Sequence, residues 1–390
     1  MAGAGKMGLM ALPRRPHGRR RLRAAALLAA WLLVTAAASA LAQGQAGPGA
    51  PFVDTSGLDL AEKRVIDVYN RVAPSVVNIT TQVLQPSFFY GSVPAQGAGS
   101  GFVIDTRGHI LTNYHVIENA QRIDVSFGNG TSLAATLVGS DARNDMAVLE
   151  VDAPPASLHP VTFGDSGGLQ VGQRAIAIGN PFGEFSRTLT TGFVSGLDRS
   201  IQGPSGLPIT GIIQTDAAIN KGNSGGPLLD SAGRVIGITS ALFSPSGTNA
   251  GVGFALPVAT VKRVLPALLK QGHYPHPYLG VKYAHTVTPA LDQALTLGSD
   301  HGLLLVQLVS GSPLDRAGLR GAQRQAVVGN RIFYVGGDVL LKVDDHVVSG
   351  LGDLKAYLED HYRVGDAVTL TYLRGGAQRT ARLTLAEEPQ

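Results

Sequence analysis

In the stretch "TDAAINKGNSGGPLLD" (215–230), Gly222, Gly225 and Gly226 crowd Ser224, and an apolar run starts at Pro227. Glycines permit positive φ and close backbone approach, so the stretch predicts a tight turn feeding a strand, with backbone N–H groups converging near the hydroxyl. A serine hydroxyl is a weak nucleophile until a base takes its proton, and that base needs a carboxylate to orient it. Two residues elsewhere suit those roles. His115 follows the apolar strand of "GHILTNYHVIENA", and Asp145 opens the alternating strand of "SDARNDMAVLEV". Each alone has a plainer reading, as a solvated turn histidine (the reading given to His109) or as a turn or capping aspartate. Together, in the order His, Asp, Ser and each at a strand end, they predict a triad for acyl transfer.

The elements that must hold these residues are short strands. Six patterns run from "SVVNITTQV" to "MAVLEV", and six more from "QRAIAIG" to "GVGFALP", with a break near 155–172. Strands this closely spaced, separated by Gly, Asp, Asn and Pro, predict two β-barrels side by side. His115 and Asp145 fall in the first group and Ser224 in the second, the chain order of a chymotrypsin-like double barrel with its site between barrels. The nucleophile elbow of α/β-hydrolases also fits Gly222-Asn223-Ser224-Gly225-Gly226. It requires a helix after the serine and the acid and histidine later in the chain. Here a strand follows Pro227, and no βαβ alternation is present.

Around the barrels the sequence predicts a helix over 60–73, with Asp59 as its cap and Val65, Ile66, Tyr69 and Val72 on its apolar face. A second helix, "VATVKRVLPALLKQG", ends at Gly272, and "HYPHP" reads as a joint. Beyond it, strands and two helices (312–320 and 350–362) form a separate unit with no dense set of catalytic residue types, which points to binding.

The three active-site blocks, "ILTNYHVI", "RNDMAVLEV" and "TDAAINKGNSGGPLLD", resemble those of the HtrA/Deg serine proteases. "VGFALP" (252–257) resembles that family's strand before the linker helix, and "YLGV" (278–281) the opening of its PDZ domain. The resemblance spans about residues 57–387. It implies a mainly β fold: a chymotrypsin-like double β-barrel protease domain (57–272) followed by one α+β PDZ domain (277–387). By the same resemblance Ser224 is the nucleophile, His115 the general base and Asp145 its orienting acid, with the N–H groups of Gly222 and Ser224 as the oxyanion hole. Ile219, Ala241 and Leu242 would line an apolar specificity pocket suited to small aliphatic residues, unless they are ordinary core. Tyr278, Leu279, Gly280 and Val281 would receive a peptide's C-terminal carboxylate, a strand-addition mode of binding. The family assembles as trimers or multiples of trimers, and the helix near 59–72 is a candidate contributor.

Three departures from the family pattern stand out. Residues between Gly318-Leu319 and Gly337-Asp338 exceed the compact PDZ form and carry Arg324, Arg331, Phe333 and Tyr334. Tyr114 stands before His115 where a smaller or amide residue is usual, which predicts a more crowded mouth. Phe88, Phe89 and Tyr90 lie in a short version of a loop that is longer in some relatives; they would bind an apolar segment, pack in an oligomer, or cover the barrel.

Composition narrows the function classes. The formal charge is +4, but seven Lys and Arg precede residue 24 and no acid precedes Asp54. Without that leader the chain is slightly acidic, which removes the electrostatic case for a nucleic-acid partner. The cationic start and the uncharged run Ala24–Ala42, ending Ala40-Leu41-Ala42, predict export by a signal peptide or signal anchor over 1–42. Cleavage is the favoured outcome and a retained membrane anchor the alternative; 43–56 is a Gly/Pro-rich linker. Cysteine is absent, and no metal-ligand cluster or cofactor motif occurs. The expectation is an exported, periplasmic or extracytoplasmic, ATP-independent serine endopeptidase acting on unfolded proteins in quality control, regulated by its PDZ domain. Its rivals are a chaperone or peptide-binding scaffold on the same fold, and an esterase, for which the sequence supplies no lipid-binding lid.

Overall fold

The computed structural model describes residues 57–87, 91–180, 187–220, 222–241 and 251–389. The leader, the linker, Phe88, Phe89, Tyr90 and Leu242 lie outside the described residues. Helix α1 (Leu60–Val72) starts with a reciprocal cap: Asp59 Oδ1 accepts from Glu62 N at 2.7 Å, and Glu62 Oε2 accepts from Asp59 N at 2.8 Å. Its buried face is Val65, Val68, Tyr69 and Val72, the i, i+3, i+4, i+7 set. Ile66, expected on that face, is instead 40% exposed, because it sits about 100° around the helix from Val65.

The first barrel comprises β1 (Val76–Ser87), β2 (Gly91–Val103), β3 (His109–Thr112), β4 (Ala120–Ser126), β5 (Ser132–Asp141) and β6 (Met146–Val151). It closes in the order β1-β2-β3-β6-β5-β4, and a single turn of helix, α2 (Tyr114–Ile117), follows β3. His109, expected as a solvated turn residue, instead opens β3 and is buried, because Asp105 Oδ2 holds its Nδ1 at 2.7 Å. The second barrel comprises β7 (Arg174–Gly179), β8 (Thr188–Gln202), β9 (Pro208–Thr215), β10 (Pro227–Leu229), β11 (Val235–Ser240) and β12 (Gly253–Pro257), closing β10-β11-β12-β9-β8-β7. Closure leaves no unpaired sheet edge in either barrel.

Each barrel has its own filling, Val77, Ile79, Ile110 and Leu149 in the first and Ala177, Ile213, Leu228 and Ile236 in the second. A third cluster, including Phe102, Leu111, Met146, Ile176, Ile178 and Leu229, joins the barrels to α1 and to α3 (Val258–Gln271). At about 25 cal/mol per Å² of apolar surface, burying such side chains supplies most of the force that holds the two barrels in register. Gly272 ends α3 with φ +82, and its carbonyl accepts from Ser140 N at 3.0 Å, which pins the helix end to β5.

The C-terminal domain runs β13 (Pro277–Tyr278), β14 (Val281–Thr286), α4 (Pro289–Leu295), β15 (Leu303–Leu308), α5 (Pro313–Arg316), β16 (Arg324–Val328), β17 (Arg331–Val335), β18 (Val339–Val343), β19 (His346–Val347), α6 (Leu351–His361), β20 (Ala367–Arg374), β21 (Ala377–Thr384) and β22 (Ala386–Glu387). The main sheet is ordered β14-β15-β18-β20-β21, and β22 pairs with β13. Its core includes Leu279, Leu305, Leu314, Leu340, Leu354, Leu358 and Leu370.

Three elements here differ from the sequence expectation, the first being α4, a helix beyond the two expected. Only Pro313–Arg316 of the expected 312–320 helix is helical, because Gly318 takes φ +74 and turns the chain away. The extra residues form a hairpin, β16 with β17, turning at Gly329-Asn330 and packing Ala326 and Phe333 against the sheet.

Candidate active site

Asp145 lies at the entry to β6 in a left-handed conformation, φ +53, one that Asp adopts more readily than most residues. Its carbonyl accepts from Asn113 Nδ2 at 2.9 Å, and its side chain is 1% exposed. That backbone turn aims the carboxylate at α2. Oδ1 accepts from the His115 backbone N at 3.0 Å, and the two carboxylate oxygens lie 2.9 and 2.8 Å from His115 Nδ1. With Nδ1–H donated to Asp145, Nε2 is left as the acceptor, which is the tautomer a general base needs.

Ser224 sits on the turn between β9 and β10, held from three sides. Ser100 N donates to Ser224 O at 2.8 Å, and Ser100 Oγ donates to Gly222 O at 2.5 Å while accepting from Asn180 N at 2.8 Å. Thr239 Oγ1 donates to Asn223 O at 2.6 Å, and Asn223 Nδ2 reaches back to Ala218 O. Gly222 and Gly225 have φ of +101 and +85, and a Cβ on Gly225 would collide with the Ser100 carbonyl. Among the described residues neither Gly222 N nor Ser224 N donates to a protein acceptor.

The serine hydroxyl itself points elsewhere. Ser224 Oγ accepts from Ala241 N at 2.8 Å and forms no hydrogen bond to His115 among the described residues. His115, Val116, Gly222, Ser224, Ala241, Gly97 and Ala98 enclose a cavity of about 240 Å³. Of the residues expected in the specificity pocket, Ala241 lines this cavity. Ile219 lies in the second barrel's core at 2% exposure, and Leu242 is outside the described residues. Tyr114 lines a separate cleft with Asp141, Arg143 and His276 and is not among the residues that line the serine's cavity. The supporting residues Ser100, Asn113, Asn180 and Thr239 escape sequence reasoning. Their types are ordinary, and only the fold brings them to the loops they bind.

Tyr278, Leu279, Gly280 and Val281 line a groove whose other wall is Leu351, Leu354, Lys355 and Leu358 of α6. Gly280 has φ +106 and packs against Ser312. The same α6 carries a buried ion cluster against the protease barrels. His276 places Nδ1 2.7 Å from Glu359 Oε2 and Nε2 3.0 Å from Asp141 Oδ1, while Arg263 lies 3.4 Å from Glu359. Burial alone would lower the His276 pKa, but the bonds and charges of Asp141 and Glu359 prevail and push it up to about 9. Burial would likewise raise Asp141 and Glu359, yet the His276 imidazolium holds both below their ordinary values. Asp141 also accepts from Asn144 Nδ2 at 2.7 Å, so the cluster reaches the residue before Asp145. No His/Asp/Glu group among the described residues is arranged to hold a metal ion.

Two closed barrels with a histidine, an aspartate and a serine at their junction define a trypsin-like serine protease. The trypsin-like peptidase domain model matches residues 99–238 and the PDZ domain model residues 277–385. Protease Do-like 1 of Arabidopsis thaliana chloroplasts is 42% identical over 335 residues, 85% of this chain and 74% of the relative. The serine protease Do-like HtrA of Bacillus subtilis is 34% identical over 347 residues, 84% of this chain and 74% of the relative. A solved structure of the HtrA-type protease AlgW with a decapeptide superposes with a TM-score of 0.67 at 32% identity, covering 84% of this chain and 99% of that one. The chain belongs to the HtrA/Deg family of serine proteases, with one PDZ domain.

Proposed function

We propose that this protease is an exported, ATP-independent endopeptidase that cleaves unfolded proteins after small aliphatic residues, with Ser224, His115 and Asp145 as its triad. The observation that carries the reading is the two-oxygen grip of Asp145 on His115 Nδ1, facing Ser224 across one cavity. In the reaction His115 Nε2 takes the hydroxyl proton as Ser224 attacks the scissile carbonyl, then delivers it to the leaving amine. Asp145 stabilises the imidazolium between these steps. Gly222 N and Ser224 N, uncommitted to acceptors among the described residues, receive the oxyanion; one such donor is worth roughly 10²–10³ in rate. The hydroxyl rests on Ala241 N, so a change of the Ser224 rotamer precedes attack.

Ala241 in the cavity wall supports an apolar pocket that offers a Lys or Arg side chain no counter-charge. Export rests on the cationic leader and its uncharged run. Relatives named as periplasmic, from Rickettsia conorii, and chloroplastic, from Arabidopsis, agree with a place outside the cytosol, and a part in quality control is the reading given to such a protease there. No helix among the described residues is long and apolar enough to cross a membrane, and Ala24–Ala42 lies outside them. Leu60 and Ile66, exposed on α1, suit burial between protomers of a trimer. The PDZ groove is read as a receptor for the C-terminal residues of unfolded chains. Cut-site mapping on an unfolded protein, beside Ser224→Ala, tests the reading. Cuts after Val, Ala or Ile that vanish in the variant support it; cuts after Lys or Arg overturn the pocket.

A further inference from the structure

One carboxylate joins the peptide groove to the protease barrels. Glu388 Oε1 accepts from Lys355 Nζ at 2.7 Å, and Glu388 Oε2 accepts from Arg143 Nη1 at 3.1 Å. Lys355 belongs to the groove: it shares a face of α6 with Leu351, Leu354 and Leu358, and it lines the groove beside Tyr278, Leu279 and Gly280. Glu388 lines the same groove, placed there by the pairing of β22 with β13 and by its own N–H, which donates to His276 O at 2.9 Å. The Lys355–Glu388 pair thus forms part of the groove's lining, and a peptide that takes Lys355 meets Glu388 there.

Arg143 carries the link inward. It is 7% exposed, donates to Lys355 O at 2.7 Å, and lies two residues before Asp145. Between them Asn144 binds both Asp141 and Glu359 through its side-chain amide. The loop that presents Asp145 is thus tied by side chains to the helix that forms the groove wall.

We propose that Glu388 is a built-in competitor for Lys355, displaced when a peptide's C-terminal carboxylate enters the groove, and that the Arg143–Glu388 pair passes this displacement to the Asp145 loop. The inference rests on reading the groove as a C-terminal carboxylate receptor. Lys355 is a single point charge, and two carboxylates on it repel each other in a partly dry groove. The arriving carboxylate therefore moves Glu388, and the Arg143 pair shifts with it. By linkage, whatever holds Glu388 on Lys355 weakens the peptide by the same factor.

The test titrates the full chain carrying Ser224→Ala with the peptide Ala-Ala-Ala-Val-Leu-Val, as free acid and as C-terminal amide. Adding Glu388→Gln should tighten the free acid about fivefold or more and leave the amide unchanged. Adding Lys355→Gln should weaken the free acid alone. With Ser224 intact, Glu388→Gln should also blunt the change in cleavage rate that the free acid causes. Free-acid affinity that is the same with and without Glu388→Gln, or indifferent to Lys355→Gln, overturns the competitor while leaving the groove as a peptide site. Equal binding of acid and amide, or binding of neither, overturns the carboxylate reading of the groove itself.

Discussion

His276 stands between two carboxylates from different domains, 3.0 Å from Asp141 of the first barrel and 2.7 Å from Glu359 of helix α6. All three side chains are largely buried, and Arg143 and Arg263 supply the remaining positive charge around Glu359. The junction between protease and PDZ domains is therefore an ion cluster with a titratable centre. Removing one member strands the others in low dielectric, so single substitutions there cost more than the pair contributes.

The pH dependence of this junction follows from the direction of the shifts. The His276 pKa is raised from 6.5 to about 9, so its contribution to stability is complete below about pH 6.5 and is lost as pH rises through 9. Asp141 and Glu359 are lowered, so their contribution is present above their ordinary values and is lost as pH falls through the depressed ones. Thermal melting of the Ser224→Ala chain with and without His276→Ala should show a wide gap at pH 7 that narrows by pH 10. A gap independent of pH would remove His276 from the account.

Ser100 links the two barrels at the Ser224 loop, through Gly222 O and Asn180 N. Ser100→Ala leaves a buried Asn180 N–H without its acceptor, at a cost of about 1–3 kcal/mol. It also frees the Gly222 carbonyl, whose orientation governs the neighbouring N–H groups. The expected result is a kcat lowered by about 10-fold or more with KM little changed, since an interaction felt in the transition state is what is lost. A variant that melts earlier but turns over at the native rate would restrict Ser100 to a structural part.

Asp145→Asn keeps the side chain's shape while replacing one acceptor oxygen by a donor facing His115 Nδ1. The imidazole then takes the wrong tautomer, and in well-studied triads that change costs about 10⁴ in kcat. The folded state should survive, because Asn also tolerates the left-handed backbone at φ +53. Steady-state kinetics with a circular dichroism control distinguishes the two effects.

Much of this was legible in the sequence because the signals are local. Alternating strands between glycine turns predict both barrels, and the residues around Ser224, His115 and Asp145 sit in strand-end contexts that periodicity exposes. Helix α4 carried a usable signal, Thr288 followed by Pro289 at the first helical position, yet it is short and weakly apolar. The hairpin from Arg324 to Val335 turns on Gly329-Asn330, a two-residue signal obscured because the flanking strands are mostly exposed. The His276 cluster was not legible at all. Asp141, His276 and Glu359 are far apart in the chain, and "HYPHP" reads only as a joint. The rotation of Ser224 Oγ onto Ala241 N is equally a property of the folded loop, which residue types do not encode.

The most direct measurement is covalent labelling of the full chain by a fluorophosphonate, read by peptide mass spectrometry. An activated serine attacks phosphorus and keeps the adduct, whereas an ordinary hydroxyl does not. The account predicts one adduct, on Ser224, formed much more slowly in His115→Ala and Asp145→Asn. An adduct on another serine, or labelling of Ser224 at an unchanged rate in both variants, would contradict it.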